Sequence, residues 1–441
     1  MSADWLSALP PGWEVRRPKT IFRERREASR SDDVHLTPSQ HHGVLPQAEY
    51  MRLTGSKVVL NFTGADNMKH VEEDDFVIHL RSFQGGIEHS RHSGKVSNAY
   101  TVLAPRASIE PRYYRWVLKS AGYIQQLASS TDQLRDGQSI KYDQFARIPL
   151  PLPPLDVQRR IADFLDDQVR RLSEASHRRV HQLALTAEER QATLENLVLG
   201  RGLGESCPAQ WSPFGQVPKR WAETRLRSVP CTVATGPFGS QLHAEEYVSG
   251  GYPVVNPANI SPQGLIAFEN VTVDMETRER LSRHMLKEDD IVFARRGELG
   301  RAALVTRDEV GWVCGTGALV VRLSDRMLRP AYLVRLLQTA ALKFYFDTQA
   351  VGSTMANLNT SILLAMPLLL PPVEDQSEVL EQCDRVEDKF RHGEAALKRS
   401  QELLEERKRS LITAAVTGEF DVSSASSRAA DVALSGVGGV G

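Results

Sequence analysis

The chain has 441 residues, of which 25% are charged, and a formal net charge of −1. This length is enough for two or three domains, and the near-neutral charge excludes a protein that binds nucleic acid through a global basic excess. The sequence contains no apolar run of about 18 residues, no basic-then-apolar start and no C-x-x-C pair. We therefore expect a cytoplasmic protein with free thiols and no membrane span.

The first region with a clear pattern is rich in β-branched and aromatic residues, and it predicts strands at Lys57–Phe62 and Phe76–Leu80. A glycine-rich stretch follows, Arg81–Lys95, which we interpret as one loop. Such a loop can approach a phosphodiester closely, and its side chains offer the donors that read base edges. A solvated hairpin loop is the alternative. The candidate DNA-binding residues of this loop are Arg81, Gln84, His89, Arg91 and Lys95.

A helix is predicted at Arg112–Leu127, and a second glycine loop at Arg135–Lys141. An unusual segment comes next, because Ile148–Gln158 reads I-P-L-P-L-P-P-L-D-V-Q and leads into a helical pattern from Asp156 to about Leu199. Consecutive prolines favour a stiff polyproline-like strand, and proline is tolerated at a helix entrance. The acidic residue complements the positive end of the helix dipole.

The same segment occurs a second time. Met366–Gln376 reads M-P-L-L-L-P-P-V-E-D-Q, 218 residues after the first copy, and it leads into a helical pattern from Glu374 to about Thr417. Other segments of the two halves also correspond, so we predict that the chain is an internal duplication. The corresponding segments are Asp74–Ile78 with Asp289–Phe293, and Pro111–Leu118 with Pro330–Leu337.

Two loops of the second half are further candidates for DNA contact, Thr235–Gln241 and Ala294–Arg301, with a third glycine-containing segment around Ser353. Arginine and glutamine can make paired hydrogen bonds to base edges, and glycine lets the backbone approach phosphate. The alternative is that the arginines of the second loop only cover the acidic pair Asp289 and Asp290. The candidate residues of these segments are Gln241, Arg295, Arg296, Arg301 and Ser353.

Both long helical patterns carry an apolar seam. In the second, apolar residues fall every seven positions, which is the repeat of a coiled coil, whereas the first is interrupted at Ser176 and Arg179. After Val422 the composition is mainly serine, alanine and glycine, which predicts a disordered tail. The predicted seam residues are Leu165, Leu172 and Leu183 in the first helix and Cys383, Phe390, Leu397, Leu404 and Leu411 in the second.

Motifs for catalysis are missing from the sequence. There is no G-x-x-x-x-G-K-[ST] phosphate loop, no G-x-G-x-x-G cofactor turn and no nucleophile–base constellation. His35, His41 and His42 lack further metal ligands at a suitable spacing. We therefore expect no catalytic, cofactor-binding or metal-binding residues in this chain.

The duplicated I-P-L-P-x-P-P-x-x-x-Q entrance to a long helix resembles the specificity subunit of type I restriction–modification enzymes. The resemblance covers about residues 10–422, and it departs at Met366–Pro372, where an isoleucine and a proline of the first copy are replaced by other apolar residues. The supporting segments are Phe83–Glu88, Gly94–Tyr100, Gly236–Leu242, Gly352–Thr354 and Arg409–Gly418.

The resemblance implies an α+β fold class. Two mixed α/β target-recognition domains would be separated by two long antiparallel coiled-coil helices, in an internal pseudo-two-fold repeat. The expected divisions are 1–152 for the first target-recognition domain, 153–203 for the central spacer helix, 204–368 for the second target-recognition domain, 369–422 for the C-terminal spacer helix and 423–441 for the disordered tail.

The resemblance also implies a function and partners. Each domain would read one half of a bipartite site in double-stranded DNA, and the helices would set the distance between the half-sites. Two modification subunits would dock on the helices and supply the methyl donor, and restriction subunits would supply ATP-driven translocation and cleavage. The chain itself would then need no cofactor and would catalyse nothing.

A different class of function is left open by the sequence. The near-neutral charge also suits a coiled-coil protein–protein adaptor with two globular modules and no role in DNA binding. The polar glycine loops at equivalent places in both halves argue against the adaptor, and the missing motifs argue against a self-contained methyltransferase.

Overall fold

The computed structural model describes residues 4–40, 42–56, 68–79, 85–106, 108–129, 140–238, 241–350 and 357–422. The chain divides into two compact units. Unit 1 comprises Met1–His181 and Lys398–Gly441, and unit 2 comprises Gln182–Leu397. Each unit holds one globular domain together with part of each of two long helices. The expected division of the sequence instead gives the two helices ranges of their own.

The first half of the chain supplies the domain of unit 1 and the first long helix. Its strands are β1 (Glu14–Arg16), β2 (Phe22–Arg25), β3 (Leu36–Ser39), β4 (Gly43–Pro46), β5 (Lys69–Val71), β6 (Phe76–Ile78), β7 (Ile87–His89), β8 (Gly94–Val96), β9 (Thr101–Pro105) and β10 (Leu150–Leu152). Its helices are α1 (Pro18–Ile21), α2 (Gln47–Thr54), α3 (Pro111–Val117), α4 (Ala121–Ser129), α5 (Tyr142–Phe145) and the long α6 (Leu155–Val198).

The second half supplies the domain of unit 2 and the second long helix. Its strands are β11 (Ser206–Pro208), β12 (Gln216–Pro218), β13 (Ala222–Arg225), β14 (Cys231–Thr235), β15 (Tyr247–Val248), β16 (Tyr252–Val255), β17 (Ile260–Ser261), β18 (Gly264–Leu265), β19 (Thr272–Val273), β20 (Ile291–Ala294), β21 (Ala302–Leu304), β22 (Val313–Cys314), β23 (Ala318–Leu323) and β24 (Pro367–Leu370). Its helices are α7 (Met275–Arg280), α8 (Pro330–Leu337), α9 (Ala340–Ala350), α10 (Thr360–Ala365) and the long α11 (Val373–Thr417).

Each unit contains a four-stranded antiparallel sheet, and the two sheets have the same strand order. The order is β2-β9-β6-β7 in unit 1 and β14-β23-β20-β21 in unit 2. The predicted duplication and the α+β fold class are therefore confirmed. The predicted strand at Lys57–Phe62 lies outside the described residues, as do most of Arg135–Lys141, Ser353 and the tail after Val422.

An aspartate pair stands at the same place in both sheets. Asp74 and Asp289 adopt positive φ angles of 70° and 69°, a region that aspartate tolerates better than most residues. The next residue in each unit is buried and forms a two-pronged ion pair. Arg25 Nε donates to Asp75 Oδ2 at 2.6 Å, and Arg322 Nε donates to Asp290 Oδ1 at 2.6 Å. The aspartates are thus equivalent although their arginines come from different strands.

The proline-rich segment pairs as a strand and is not merely polyproline-like. β10 pairs with β1, and β24 pairs with β13. The helices begin at Leu155 and Val373, one residue before the predicted Asp156 and Glu374. Since these starting residues are equivalent in the two copies of the motif, the motif fixes where each long helix begins.

The glutamine that ends each copy of the motif makes two hydrogen bonds with the backbone. Gln158 Oε1 accepts from the Glu110 amide at 2.9 Å, and its Nε2 donates to the Pro153 carbonyl at 2.8 Å. Gln376 makes the same two contacts, with the Arg329 amide and the Pro371 carbonyl, both at 2.8 Å. Each buried glutamine therefore ties the start of a domain helix to the start of a long helix.

The predicted helix at Arg112–Leu127 is wrong as a single element, because the chain forms α3 and α4 with a tight turn between them. The Ser120 hydroxyl donates to the Val117 carbonyl at 2.7 Å, and the Ile124 amide donates to the Ser120 carbonyl at 3.0 Å. A serine hydroxyl that bonds to the backbone competes with helix continuation, so the turn ends one helix and begins the next. The corresponding α8 and α9 break at the buried Thr339, whose hydroxyl donates to the Leu336 carbonyl at 2.7 Å.

A tyrosine of each domain is also hydrogen-bonded to the C-terminal end of a long helix. Tyr113 Oη donates to the Val416 carbonyl at 3.1 Å within unit 1, and Tyr332 Oη donates to the Val198 carbonyl at 3.0 Å within unit 2. The last carbonyls of a helix have no partner inside the helix, so these buried hydroxyls satisfy them. Unit 1 therefore pairs the start of α6 with the end of α11, and unit 2 pairs the end of α6 with the start of α11, as predicted for antiparallel helices.

A glycine follows each long helix and lies under a tryptophan. Gly200 and Gly418 have φ angles of +66° and +76°. A Cβ on Gly200 would lie 2.4 Å from the Trp221 ring, and one on Gly418 would lie 2.4 Å from Pro10 and 3.2 Å from Trp13. Trp13 and Trp221, each near the start of a domain, thus pack close to the glycine that follows a long helix.

The helix seams are buried most deeply near the domains. Leu165 and Leu411 belong to the core of unit 1, and Cys383 belongs to the core of unit 2. The other predicted seam residues are half-buried: Leu172, Leu183, Phe390, Leu397 and Leu404. The apparent interruption of the first seam is part of it, since Ser176 is buried and Arg179 Nε donates to Ser400 Oγ at 3.2 Å, whereas Val180 is exposed.

Candidate nucleic-acid interface

Three connections of unit 2 leave its sheet at one edge. In the strand register, Thr235 at the end of β14 pairs with Leu319 near the start of β23, and Leu319 also pairs with Phe293 near the end of β20. Phe293 pairs in turn with Ala302 at the start of β21. We call these strand ends, from which the connections leave, the loop edge of the sheet; the name does not refer to an outermost strand. The connections that begin at 236, 295 and 315 emerge from it, so the two predicted loops of the second half begin at the same end of the sheet.

The arginines of the 295–301 segment differ in their surroundings. Arg295 Nε donates to the Leu358 carbonyl at 3.3 Å, and Arg301 Nη2 donates to the Pro257 carbonyl at 2.8 Å. These two side chains therefore hold neighbouring backbone in place. Arg296 is exposed and makes no side-chain hydrogen bond or ion pair with any residue that the structure describes.

The acidic pair before β20 does not engage these arginines. Asp290 is fully buried, and both of its oxygens accept from Arg322 at 2.6 Å. The alternative in which Arg295 and Arg296 only cover Asp289 and Asp290 is therefore wrong. Arg296 is left as a cation directed at solvent from the loop edge.

Close backbone packing stiffens the loop edge of unit 2. A Cβ on Gly236 would lie 1.8 Å from the Gly315 carbonyl oxygen, and one on Gly315 would lie 2.2 Å from Asn256 Oδ1. Only glycine lets these strands approach so closely. Gln241 closes the adjoining turn, since its Oε1 accepts from the Phe238 amide at 3.1 Å and its own amide donates to the Phe238 carbonyl at 2.7 Å.

The equivalent edge of unit 1 lies between β6 and β7. Ile78 at the end of β6 pairs with Ile87 at the start of β7 and with Thr101 at the start of β9. The connection from β6 to β7 therefore corresponds to the 295–301 segment of unit 2. It contains Arg81 and Gln84, which lie outside the described residues, as does Ser353 in the second half.

The interpretation of Arg81–Lys95 as one loop is wrong, because β7 lies inside it and β8 begins before its end. His89 is buried in β7, its Nε2 lies 2.8 Å from Asp74 Oδ1, and burial lowers its pKa. Lys95 lies in β8 and pairs with His70 of β5. His89 is thus no exposed donor for DNA, in contrast to the exposed Arg91.

Arg91 follows β7 at the opposite end from the loop edge. It lines a cleft of about 550 Å³ between the domain and the first long helix. Arg115 lies in the same cleft, where burial lowers its pKa although Asp166 lies beside it and favours the charged form. The remaining lining residues are Trp116, Asp166, Asp167, Val169, Arg170 and Ser173.

One buried charge cluster escaped the sequence analysis. His70 Nδ1 lies 2.8 Å from Asp33 Oδ2, and its Nε2 lies 2.8 Å from Glu72 Oε1. Burial alone would lower the pKa of His70, but the two carboxylates outweigh burial and raise it. The hydrogen bond from His70 lowers the pKa of Glu72 to about 2. Glu72 is two residues from His70, but Asp33 is 37 residues away, so local spacing does not reveal the complete cluster.

The described residues contain no group of three or more histidine, cysteine, aspartate or glutamate side chains arranged to hold a metal ion. A search of the same residues for helices long and apolar enough to cross a membrane finds none.

Two relatives match parts of the chain. It is 22% identical over 286 residues to the type I restriction enzyme MjaVIII specificity subunit of Methanocaldococcus jannaschii, covering 63% of each chain. It is 23% identical over 303 residues to the type I restriction enzyme EcoKI specificity subunit of Escherichia coli, covering 65% of this chain and 60% of that protein. The chain thus spans about three fifths of the length of these curated relatives.

Two solved structures share the fold. One, described as the structural basis underlying complex assembly and conformational transition of the type I R-M system, matches with a TM-score of 0.72 at 17% identity and covers 94% of this chain and 100% of that one. The HsdS subunit of Thermoanaerobacter tengcongensis matches with a TM-score of 0.53 at 19% identity and covers 93% of this chain and 98% of that one.

A family model described as the type I restriction modification DNA specificity domain matches the chain twice, at residues 13–183 and 218–398. The two matches coincide with the two halves of the repeat, and each takes in a domain with its four-stranded sheet. The chain therefore belongs to the family of type I restriction–modification DNA specificity subunits and carries two target-recognition domains.

Proposed function

We propose that this chain reads a bipartite site in double-stranded DNA, with the loop edge of each sheet reading one half-site. The observation that carries the proposal is the repeated sheet, because the same strand order places corresponding connections at the same edge in both units. In unit 2 that edge presents the exposed Arg296 on a connection held by Arg295 and Arg301. Arg296 has no side-chain partner among the described residues, so its guanidinium is available for a guanine edge or a phosphate.

The proposed readers follow from this edge. Arg296 is the base-reading residue of unit 2, and Gln241, Arg295, Arg301 and Ser353 support it. Arg81 and Gln84 take the corresponding place in unit 1, on the connection between β6 and β7. Lys95 and Arg91 contact phosphate at most, since neither lies on that connection.

The long helices act as the spacer between the half-sites. A helix of the length of α6, 44 residues, extends for about 66 Å, and two successive major grooves on one side of a duplex are separated by about 34 Å. We assign residues 153–203 and 369–422 to this role, 1–152 and 204–368 to the two target-recognition domains, and 423–441 to a tail outside both.

The partners are modification subunits and restriction subunits. Two modification subunits would dock on the two equivalent helix–domain junctions and carry the methyl donor, and the restriction subunits would bind ATP. The repeated Gln and Tyr contacts support two docking sites, because they make the junctions chemically alike.

Methylation profiling of the complex with its modification subunits tests the readers. Arg296→Ala should relax one position of the half-site read by unit 2 and cost about 1–3 kcal/mol there, while Arg81→Ala should do the same only to the other half-site. Arg307→Ala is the matched control, because Arg307 is exposed at the opposite end of the sheet and pairs with Glu288. A uniform loss over all sequences would identify Arg296 as a phosphate contact, and no change at either half-site would remove the loop edge as the reader.

A heptad insertion tests the spacer. Seven residues added after Leu172, with a matching insertion in α11, should lengthen the unread gap and leave both half-sites as they were. Altered half-sites with an unchanged gap would contradict the spacer. Salt-dependent binding to duplex DNA separates the proposal from the adaptor, which predicts none.

A further inference from the structure

One aromatic side chain at the loop edge of unit 2, Phe238, is largely exposed. Phe238 is 65% exposed, the highest fraction among the large apolar side chains that the structure describes as exposed. Burying a phenylalanine contributes roughly 1.5–3 kcal/mol, and this ring contributes little of that to the folded chain. It lies in the segment Gly236–Leu242, which the family resemblance singles out without giving it a function.

The backbone around Phe238 is anchored on both sides. Gly236 and Pro237 are buried before it, and the Gly236 amide donates to the Ala318 carbonyl at 3.1 Å. Leu242 is buried after it, in a separate apolar cluster. Phe238 is thus an exposed residue between two buried stretches.

Hydrogen bonds join Phe238 to Gln241 and Gln241 to Arg280. The Gln241 side chain accepts from the Phe238 amide, and Arg280 Nη1 donates to the Gln241 carbonyl at 2.6 Å. Arg280 is itself paired with Glu246. Several polar contacts therefore surround one exposed apolar group at the loop edge, which we propose faces DNA.

Resting on the proposed function, we infer that Phe238 is a specificity residue that packs against a thymine methyl group in the half-site read by unit 2. The thymine methyl is the apolar group that the major groove displays, and phenylalanine is one of the side chains that contacts it. A rigid ring with two side-chain torsions loses little conformational freedom on contact. Arg296, on the neighbouring connection of the same edge, would read a polar base edge beside it.

Binding of matched duplexes tests this inference. The full chain in complex with its modification subunits is titrated with duplexes in which each thymine of that half-site is replaced in turn by deoxyuridine, which lacks only the methyl group. At one position the replacement should weaken wild-type binding roughly 3- to 10-fold, as expected for burial of about one methyl group. Phe238→Ala should weaken binding to the thymine duplex by a similar factor and show no further loss with uracil.

Two variants serve as controls. Phe344→Ala removes another exposed ring of unit 2, 55% exposed and carried by α9, and should bind both duplexes as the wild type does. Phe238→Leu keeps an apolar contact and should retain part of the preference for thymine over uracil.

Several outcomes would overturn the inference. One is a loss of affinity for Phe238→Ala that is equal on the thymine and uracil duplexes, and another is wild-type binding that depends on no thymine methyl group. A half-site without an A·T pair would also overturn it. So would a Phe238→Ala chain that fails to assemble with the modification subunit while it still binds DNA. If Arg296→Ala still alters the same half-site in any of these cases, the proposed function stands and only the role of Phe238 fails. If the wild type binds DNA with no dependence on sequence, both the proposed function and the role of Phe238 fail.

Discussion

The two units are alike where their domains meet the long helices and unlike at the periphery of their sheets. The contacts of Gln158, Tyr113 and Gly418 in unit 1 recur at Gln376, Tyr332 and Gly200 in unit 2. By contrast, the small sheet β15-β19-β16-β22 of unit 2 has no equivalent among the described residues of unit 1, and the cleft beside Arg91 is lined by residues of unit 1 alone. The junctions are thus duplicated together with the four-stranded sheets, and the units differ in the elements outside these sheets.

The buried ion pairs give the largest test of this comparison. Arg25→Met leaves the buried Asp75 without its charged partner, and we expect a loss of about 3–5 kcal/mol in the stability of unit 1. Arg322→Met should cost less, because the Arg322 side chain is 39% exposed against 10% for Arg25. Urea unfolding combined with hydrogen exchange assigns each loss to a unit. Equal losses would contradict the argument that the more exposed arginine contributes less.

The helix-end glycines test whether the junctions are energetically equivalent. Gly200→Ala and Gly418→Ala place a Cβ at a positive φ and against a tryptophan or proline, so each should cost about 2–3 kcal/mol. Gly204→Ala is the control, with a φ of +74° and nothing within 4 Å of the added Cβ. Thermal unfolding would contradict the packing argument if the control lost as much as the other two.

A smaller loss of stability is expected when the hydroxyl of either buried tyrosine is removed. Tyr113→Phe and Tyr332→Phe each remove one hydroxyl that donates to a helix-end carbonyl, and each should cost about 1 kcal/mol. Hydrogen exchange at the end of α11 should rise only in the first variant, and at the end of α6 only in the second. A change at the wrong helix end would contradict the assignment of these contacts.

A pH dependence is expected from the His70 cluster, which belongs to unit 1 only. The raised pKa of His70 means that its protonated form stabilises unit 1 fully below the unfolded value of about 6.5. This contribution is lost as the pH rises through the folded pKa. The stability advantage of the wild type over His70→Gln should therefore shrink as the pH rises above about 6.5. A constant or growing advantage in urea titrations at several pH values would contradict the charged pairing.

The smallest effect is expected at Arg91. Because Arg91 lies away from the loop edge, Arg91→Ala should leave the sequence of the first half-site unchanged, in contrast to Arg81→Ala. Methylation profiling checks both variants side by side. A relaxed position in the Arg91 variant would restore Arg91 as a reader and place the reading surface at the other end of β7.

The repeat and the long helices were predictable because they depend on local signals, namely the proline run, the acidic helix start and the seven-residue spacing. The burial of β7 was not, since Glu88 and His89 read as loop residues. Their partners are remote: Lys119 binds Glu88 from 31 residues away, and Asp74 binds His89. The first helix seam was misread for a similar reason. The register buries Ser176 and exposes Val180, although hydropathy alone favours the reverse.

The make-up of unit 1 has a consequence for folding order. Unit 2 is one continuous segment, Gln182–Leu397, whereas unit 1 needs Lys398–Gly441 as well as the first half of the chain. Leu411, Ile412 and Val416 lie in the core of unit 1, and Tyr113 is bonded to a residue 303 positions away. Contacts between distant segments form slowly, because the loop must close before they contribute. During synthesis the later unit should therefore complete its fold first, and the earlier domain should wait for the last helical turns of the chain.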